Sequence, residues 1–467
     1  MTEHASSGAA RAGRLGRRRL LGSAAAAPAV VGAACVPAAG GGGAPAPAGK
    51  PQGTVEAWTV WDGTREALMN GQIEDFQRLV PAVTVRHSLV QQAQMYDKYT
   101  SAIAGGTSPD SVMVHGRMLP AMADRGQLLA LDAYVRRDGL KPADVWYEPE
   151  WQGQLWRGKP YGLPLASGGG NFVLYYNRSH FQEAGLDPAA PPKTWTELAT
   201  AAERLTQRGG GRLGFASGGL WTEYLSCDAG RLFNADLTRV AWNGTEGVES
   251  AQFELDLERR LHGGRAGLAE ALGGQTQVQA FASGKLSMLN NGVYFAFYEL
   301  KQLAPDLPYG AAAFPYNGAN PRARSLNFSD GGWGYSIPQG ARNPDAAWEW
   351  QKYACAGEGN LKFFLAQGRP TPVKRHNERP EFRQASPYFD VLVATLHNQA
   401  LAGVTPAWPE IRAVVTQMVA DIGAGKVGPK DGLDEGAKQA QLLLDRSLAA
   451  RPAGTPGTGG TGGSAGR

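Results

Sequence analysis

The stretch from Val55 to Val90 reads VEAWTVWDGTREALMNGQIEDFQRLVPAVTVRHSLV. Its opening residues, Val55 to Trp61, alternate and are rich in β-branched and aromatic types, which predicts a strand. Thr64 to Val80 then carries Leu68, Phe76 and Leu79 at helical spacing, and Val83 to Val90 returns to β-prone alternation. Strand, helix and strand in succession form a βαβ unit. A helical crossover brings the chain back to the same end of the sheet, so an α/β fold with largely parallel strands is expected.

The same texture continues downstream. Ser111 to His115 reads as a strand after a Gly-Gly-Thr-Ser-Pro turn. Thr194-Trp-Thr-Glu197 is a capping box that opens a helix with Trp195, Leu198, Ala199, Ala202 and Leu205 on one face. Asn343-Pro344-Asp345 is a second helix start, with Ala347, Trp350 and Ala354 turned inward. A chain of 467 residues exceeds one comfortable α/β core, so two lobes are expected. No internal repeat of fixed period is visible.

The two ends read differently. Residues 1–35 hold five arginines and one acid, so they carry the whole formal charge of +4 and the remainder is formally neutral. No electrostatic footprint for nucleic acid remains. A basic head ending in Arg17-Arg18-Arg19 precedes the short apolar run Leu20–Ala34, too short to span a bilayer and built like an export signal. Arg17-Arg18 resembles the twin-arginine pair. Val31-Gly32-Ala33-Ala34-Cys35 resembles a lipobox, with Gly32 where a larger aliphatic is usual, so Cys35 is the candidate lipidation site. Plain secretion with cleavage near Ala34 is the alternative. Residues 36–53 are a Gly/Pro/Ala-rich tether, and 451–467 a tail expected to be disordered. Cys227 and Cys355 give no spacing signal, and two separate small core residues are the simpler expectation.

Catalytic patterns are missing. Gly209-x-Gly211-x-x-Gly214 matches a dinucleotide fingerprint only in letters, because it follows a helix and precedes the short strand Phe215-Ala216-Ser217. The seven histidines are scattered without metal-ligand spacing, and no Gly-x-Ser-x-Gly elbow occurs. Glu148 and Glu150 lie among Trp146, Tyr147 and Trp151, a pairing that could suggest a glycosidase. Their two-residue spacing does not set the separation such chemistry needs, so they read as an exposed acidic turn over packed aromatics. No catalytic residue, metal or cofactor is assigned.

Seven local patterns then occur in a telling order. They are YTSAIAGGTSPDSVMV over 99–114, GQLLALD over 126–132, GKPYGLP over 158–164 and YYNRSHFQEAGLD over 175–187. PKTWTEL over 192–198, FASGKLSMLNNG over 281–292 and GGWGYSIP over 331–338 complete the set. In this order, roughly over residues 54–445, the chain resembles the extracellular solute-binding proteins of bacterial ABC importers, in the carbohydrate-binding family that includes the maltose-binding protein. The resemblance implies a periplasmic-binding-protein-like fold of class II: two discontinuous α/β lobes joined by a hinge. Lobe 1 would hold 54–164 and 327–370, and lobe 2 would hold 165–326 and 371–450. It further implies a small-molecule solute of the carbohydrate class, permease subunits as partners, a monomer, and a place outside the cytoplasmic membrane, anchored or periplasmic.

Ligands of open α/β sheets bind beyond the carboxyl ends of the strands. Sugars want flat aromatics for their C–H faces and planar polar groups for neighbouring hydroxyls. On that basis Asp62 is the expected acceptor and Trp61 the platform at the end of the first strand. His115 and Arg117 follow the strand ending at Val114. Ser167 and Asn171 sit at the first crossover. Asn290, Asn291 and Tyr294 follow a later strand, and Tyr294 matches an aromatic platform of the maltose-binding relative. Trp333, Trp221, Trp408 and Arg369 complete the expected site. No Lys/Arg cluster stands near these positions, which argues against a phosphorylated ligand. An exported carbohydrate-active enzyme, suggested by the twelve tryptophans, and a sensory solute-binding protein remain alternatives.

Overall fold

The computed structural model describes residues 50–450 apart from 168–171, 208, 210, 218 and 298. The leader with Cys35, most of the tether, Asn171 and the tail lie outside the described residues. β1 (Gly53–Thr59), α1 (Gly63–Leu79) and β2 (Val83–Leu89) form the expected unit, and the two strands pair in parallel from Gly53↔Val83 to Thr59↔Leu89. α1 buries Met69, Gln72, Ile73 and Phe76, the spacing of one helix face. Gln72 survives in that stripe because its side-chain amide donates to the Gly359 carbonyl at 2.7 Å.

β3 (Ser111–His115) joins in parallel beside β1. β4 (Leu163–Ala166) lies at the far edge, and the first sheet is closed by β10 (Trp333–Ser336), in the order β2-β1-β3-β10-β4. The second sheet has the order β8-β5-β7-β6, from β5 (Phe172–Asn177), β6 (Leu213–Ala216), β7 (Leu286–Gly292) and β8 (Tyr309–Ala312). A short parallel ribbon joins β9 (Asn327–Ser329) to β11 (Gln399–Leu401).

The sheets are mixed, not largely parallel as the local texture suggested. β10 runs antiparallel to both β3 and β4, and β5 antiparallel to β7 and β8. The reason is connectivity. β10 returns from the other sheet and enters at the end where β3 leaves. Likewise β5 enters at the end where β7 leaves.

α2 (Trp195–Leu205) begins with the reciprocal capping box, Thr194 Oγ1 accepting from Glu197 N at 3.3 Å and Glu197 accepting from Thr194 N at 3.2 Å. The helix starting at Pro344 is tied differently. Asn343 makes no side-chain cap; its Nδ2 donates to Thr54 O at 2.7 Å, anchoring the helix start to β1. Cys355 packs in the core of the first sheet and Cys227 in the core beside α2; both are free and buried. The first core also takes in Val373, Phe382 and Phe389. The chain therefore stays with the first sheet past residue 370, where the second lobe was expected to resume.

Candidate functional site

Strand register brings the candidate positions to two facing edges. β1, β3 and β4 leave the first sheet at one edge, where they give way to Trp61 and Asp62, to Arg117, and to Ser167. β10 enters there, since Trp333 pairs with both His115 and Ala166. On the second sheet, Phe172 opens β5 opposite Gly292 of β7, and β6 leaves at the same edge toward α3 (Trp221–Ser226).

A cavity of about 490 Å³ lies between these edges. Arg117 and Asp330 line it from the first sheet, Phe172, Thr222 and Glu223 from the second, and Trp408 and Arg412 from α5 (Trp408–Gly423). Phe328 of β9 closes one side. Asp330 is buried, with the Arg412 guanidinium 3.9 Å away. Burial pushes its carboxyl above the usual range, while Arg117, Arg412 and the Trp408 indole N–H pull the other way. Glu223 is buried too and accepts from Thr222 Oγ1 at 2.9 Å. Desolvation outweighs that bond and pushes its pKa up to about 7.

The wall is held from behind. Glu254, on α4 (Thr245–His262), accepts from Ser217 Oγ at 2.7 Å and from the backbone N–H groups of Gly219 and Leu220 at 2.9 and 2.6 Å. That fixes the turn that presents Thr222 and Glu223. His115 is buried; its ring takes the Arg117 N–H at 3.3 Å and meets Trp333 edge-on at 4.8 Å. It shapes the loop that carries Arg117.

Several expected contacts turn out to be packing. Trp61 is 4% exposed, stacked on Phe363 at 5.6 Å and edge-on to Trp333, so it is core and not a platform. A tryptophan at a strand end can turn to either side, and here the apolar side holds Phe363. Trp333 belongs to the same core. Trp221 is buried in the second half of the molecule and donates Nε1 to Gly247 O at 3.0 Å. Asp62 sits exposed before α1, 3.8 Å from Arg65. Asn291 caps its own turn, accepting from Gly292 N at 2.7 Å. Arg369 is buried and donates to the Ser167 carbonyl at 3.1 Å, bracing two segments far apart in sequence.

Two expected residues, Arg117 and Trp408, line the cavity. Asn290 is buried, and neither side-chain amide atom has a hydrogen-bond partner among the described residues. It pairs with Leu174 on the strand face that Phe172 shares. Tyr294 is 37% exposed, within the fields of Glu299, Arg369 and Arg65.

Asp330, Glu223, Phe172, Phe328 and Arg412 were missed. Arg412 follows Trp408 by one helical turn, and Asp330 immediately precedes Gly331-Gly332-Trp333, so both had a local signal. The pair Glu148 and Glu150 is not an exposed turn. Glu148 is exposed, but Glu150 is buried and accepts from Gln399 Nε2 at 2.7 Å. Burial raises its pKa, against the hydrogen bonds of Gln399 and Ser167.

Residues 61–356 match the family model described as bacterial extracellular solute-binding protein. A Brucella abortus protein described as a binding protein is 24% identical over 378 residues, covering 79% of this chain and 88% of its own. The sn-glycerol-3-phosphate-binding periplasmic protein UgpB of Pectobacterium atrosepticum is 23% identical over 301 residues, 59% of this chain and 64% of that one. Among solved structures, an ABC transporter solute-binding protein from Thermotoga lettingae, bound with α-D-tagatose, has a TM-score of 0.71 at 22% identity. It covers 84% of this chain and 99% of its own. The cyclic α-maltosyl-1,6-maltose binding protein of Arthrobacter globiformis has a TM-score of 0.70 at 20% identity, covering 85% and 100%. These structures share the two-lobed class II fold. With the family model spanning more than half of it, the chain belongs to the bacterial extracellular solute-binding proteins, a family that binds solutes and does not turn them over.

Proposed function

We propose that this chain is the binding subunit of an ABC importer and takes a sugar or oligosaccharide in the cavity between its lobes. The observation that carries the sugar is the lining. Phe172 and Phe328 offer apolar faces beside the buried Trp408, and Asp330, Arg117 and Arg412 offer planar polar groups around them. Buried carboxylates and guanidinium groups can each reach two neighbouring hydroxyls, which fixes stereochemistry. The tagatose-bound and maltosyl-maltose-binding relatives support the same class.

The proposal includes export by the leader and a lipid on Cys35, with the tether holding the domain at the outer face of the cytoplasmic membrane. Among the described residues no helix is long and apolar enough to cross a membrane, so attachment would rest on the lipid alone. The permease is the partner, and the binding subunit acts as a monomer. In this reading the lobes run from 54 to 164 with 327 to about 389, and from 165 to 326 with the remainder to 450.

The test is a thermal-shift screen of the purified chain against a broad panel of mono- and oligosaccharides. A ligand that binds only the folded state raises the melting temperature with concentration. No shift with any member of the panel would overturn the sugar assignment. Release of smaller products from an oligosaccharide would overturn the reading as a pure binding subunit.

A further inference from the structure

Phe328 lines a second chamber as well, of about 800 Å³. The loop after α3, the segment 322–328 and β11 wall it. Its lining holds three arginines, Arg231, Arg322 and Arg324, and a single carboxylate, Glu246. Arg322 is paired with that carboxylate. Arg231 and Arg324 are exposed, and neither side chain makes a hydrogen bond or ion pair with any described residue.

Several arginines elsewhere in the chain are neutralised in place. Arg137 meets Asp138, Asp345 and Glu349; Arg157 meets Asp124; Arg265 meets Glu258. Two uncompensated cations on one cavity wall create a positive recess, and the apolar surface of Phe233, Leu237 and Leu401 beside them focuses it. The sequence argued only against a phosphorylated ligand, because no Lys/Arg cluster stands near the expected site; Arg231 and Arg324 lie in separate segments. The fold collects them.

We propose that this chamber receives a carboxylate of the solute, so that the ligand is an acidic oligosaccharide. One unit would sit against Trp408 and Asp330, and a uronate unit would lie past Phe328 facing Arg231 and Arg324. The inference rests on the sugar-binding reading and names the class of sugar. A guanidinium fork matches a carboxylate with two parallel hydrogen bonds, which a neutral hydroxymethyl group cannot accept in the same way. The shared Phe328 wall requires a ligand of at least two units, because one unit does not reach both chambers.

The test is titration calorimetry on the full chain with matched pairs. Each pair is a neutral oligosaccharide and the uronate of the same linkage and length, measured at low and high salt. In at least one pair the acid form is expected to bind tenfold or more tightly, with the preference shrinking as salt screens the arginines. In the Arg231→Gln, Arg324→Gln double variant the two affinities should converge, while the melting temperature stays at that of the parent. Equal or tighter binding of the neutral member in every pair overturns the acidic class and leaves sugar binding standing. A preference for the acid form that persists in the double variant overturns the placing of the carboxylate against Arg231 and Arg324. Failure of every sugar, neutral or acidic, overturns the sugar reading and this inference together.

Discussion

Glu223 and Asp330 face the same cavity, and each has a distinct measurable consequence. The Glu223 carboxyl is buried beside a single hydroxyl donor, and burial raises its pKa from the ordinary 4.5 to about 7. The folded state therefore binds this proton more tightly than the unfolded chain. The stability contribution is complete below the unfolded value and is lost as pH rises toward 7, at most about 3 kcal/mol for a shift of this size. Between pH 4.5 and 7 the parent should lose stability relative to Glu223→Gln, as read by urea denaturation at each pH. Parallel curves for the two proteins would show that Glu223 titrates normally. Asp330 offers two carboxylate oxygens beside Trp408 and Arg412, suited to charge-assisted bonds with hydroxyls. Such bonds contribute about 1.5–3 kcal/mol each. Asp330→Asn should weaken the ligand found by the sugar screen by roughly ten- to a hundredfold, and an unchanged Kd would remove Asp330 from the site. Trp408 is as buried as Trp61, Trp221 and Trp333, but among these four it alone lines this cavity. Ligand-dependent fluorescence should therefore vanish in Trp408→Phe and persist in Trp61→Phe.

The elements carry their own demand at the edge where β3 and β10 meet. Gly331 has φ +94°, and a Cβ there would stand 2.8 Å from the Gly116 Cα. The Gly331-Gly332 step is thus required by backbone contact beneath the cavity, not by a ligand. Gly331→Ala meets both a left-handed backbone and that contact, so it should destabilise the protein by about 1–3 kcal/mol or more. A melting temperature equal to that of the parent would contradict the contact. Glycine pairs of this kind show what the sequence could convey. Strand ends and helix starts were legible, because alternation, capping residues and turn chemistry act locally: β1, α1, β2, β3 and the Thr194 box all formed where expected. The edge of the site was legible as well, since cavities follow strand ends. Side-chain direction was not. Trp61 and Trp333 sit at the correct edge yet turn into the core, because Phe363 from a distant helix fills the space beside them. Glu150 turns inward for a similar reason, meeting Gln399 from the other end of the chain.

At the scale of the whole molecule, two sheets with facing edges and an open cavity between them are built to close. The buried bond from Arg369 to the Ser167 carbonyl ties together two segments of the chain that lie far apart in sequence. Glu150 and Gln399 join close by, with Gln399 at the start of the ribbon that borders the second chamber. In a hinge rotation bonds near the pivot move least, so bonds such as these would persist while the cavity rim travels. Charged rim groups such as Arg412 and Arg117 are the ones whose separation changes. A solute that touches Arg117 on one lobe and Arg412 on the other gains contacts only when the lobes approach. Its differential affinity then shifts the population toward the closed form. Small-angle scattering should therefore give a smaller radius of gyration at saturating ligand than without it. Asp330→Asn should need proportionally more ligand to reach the same contraction. A radius of gyration that stays constant at saturation would mean that the lobes do not move on binding, and that the permease recognises something other than closure.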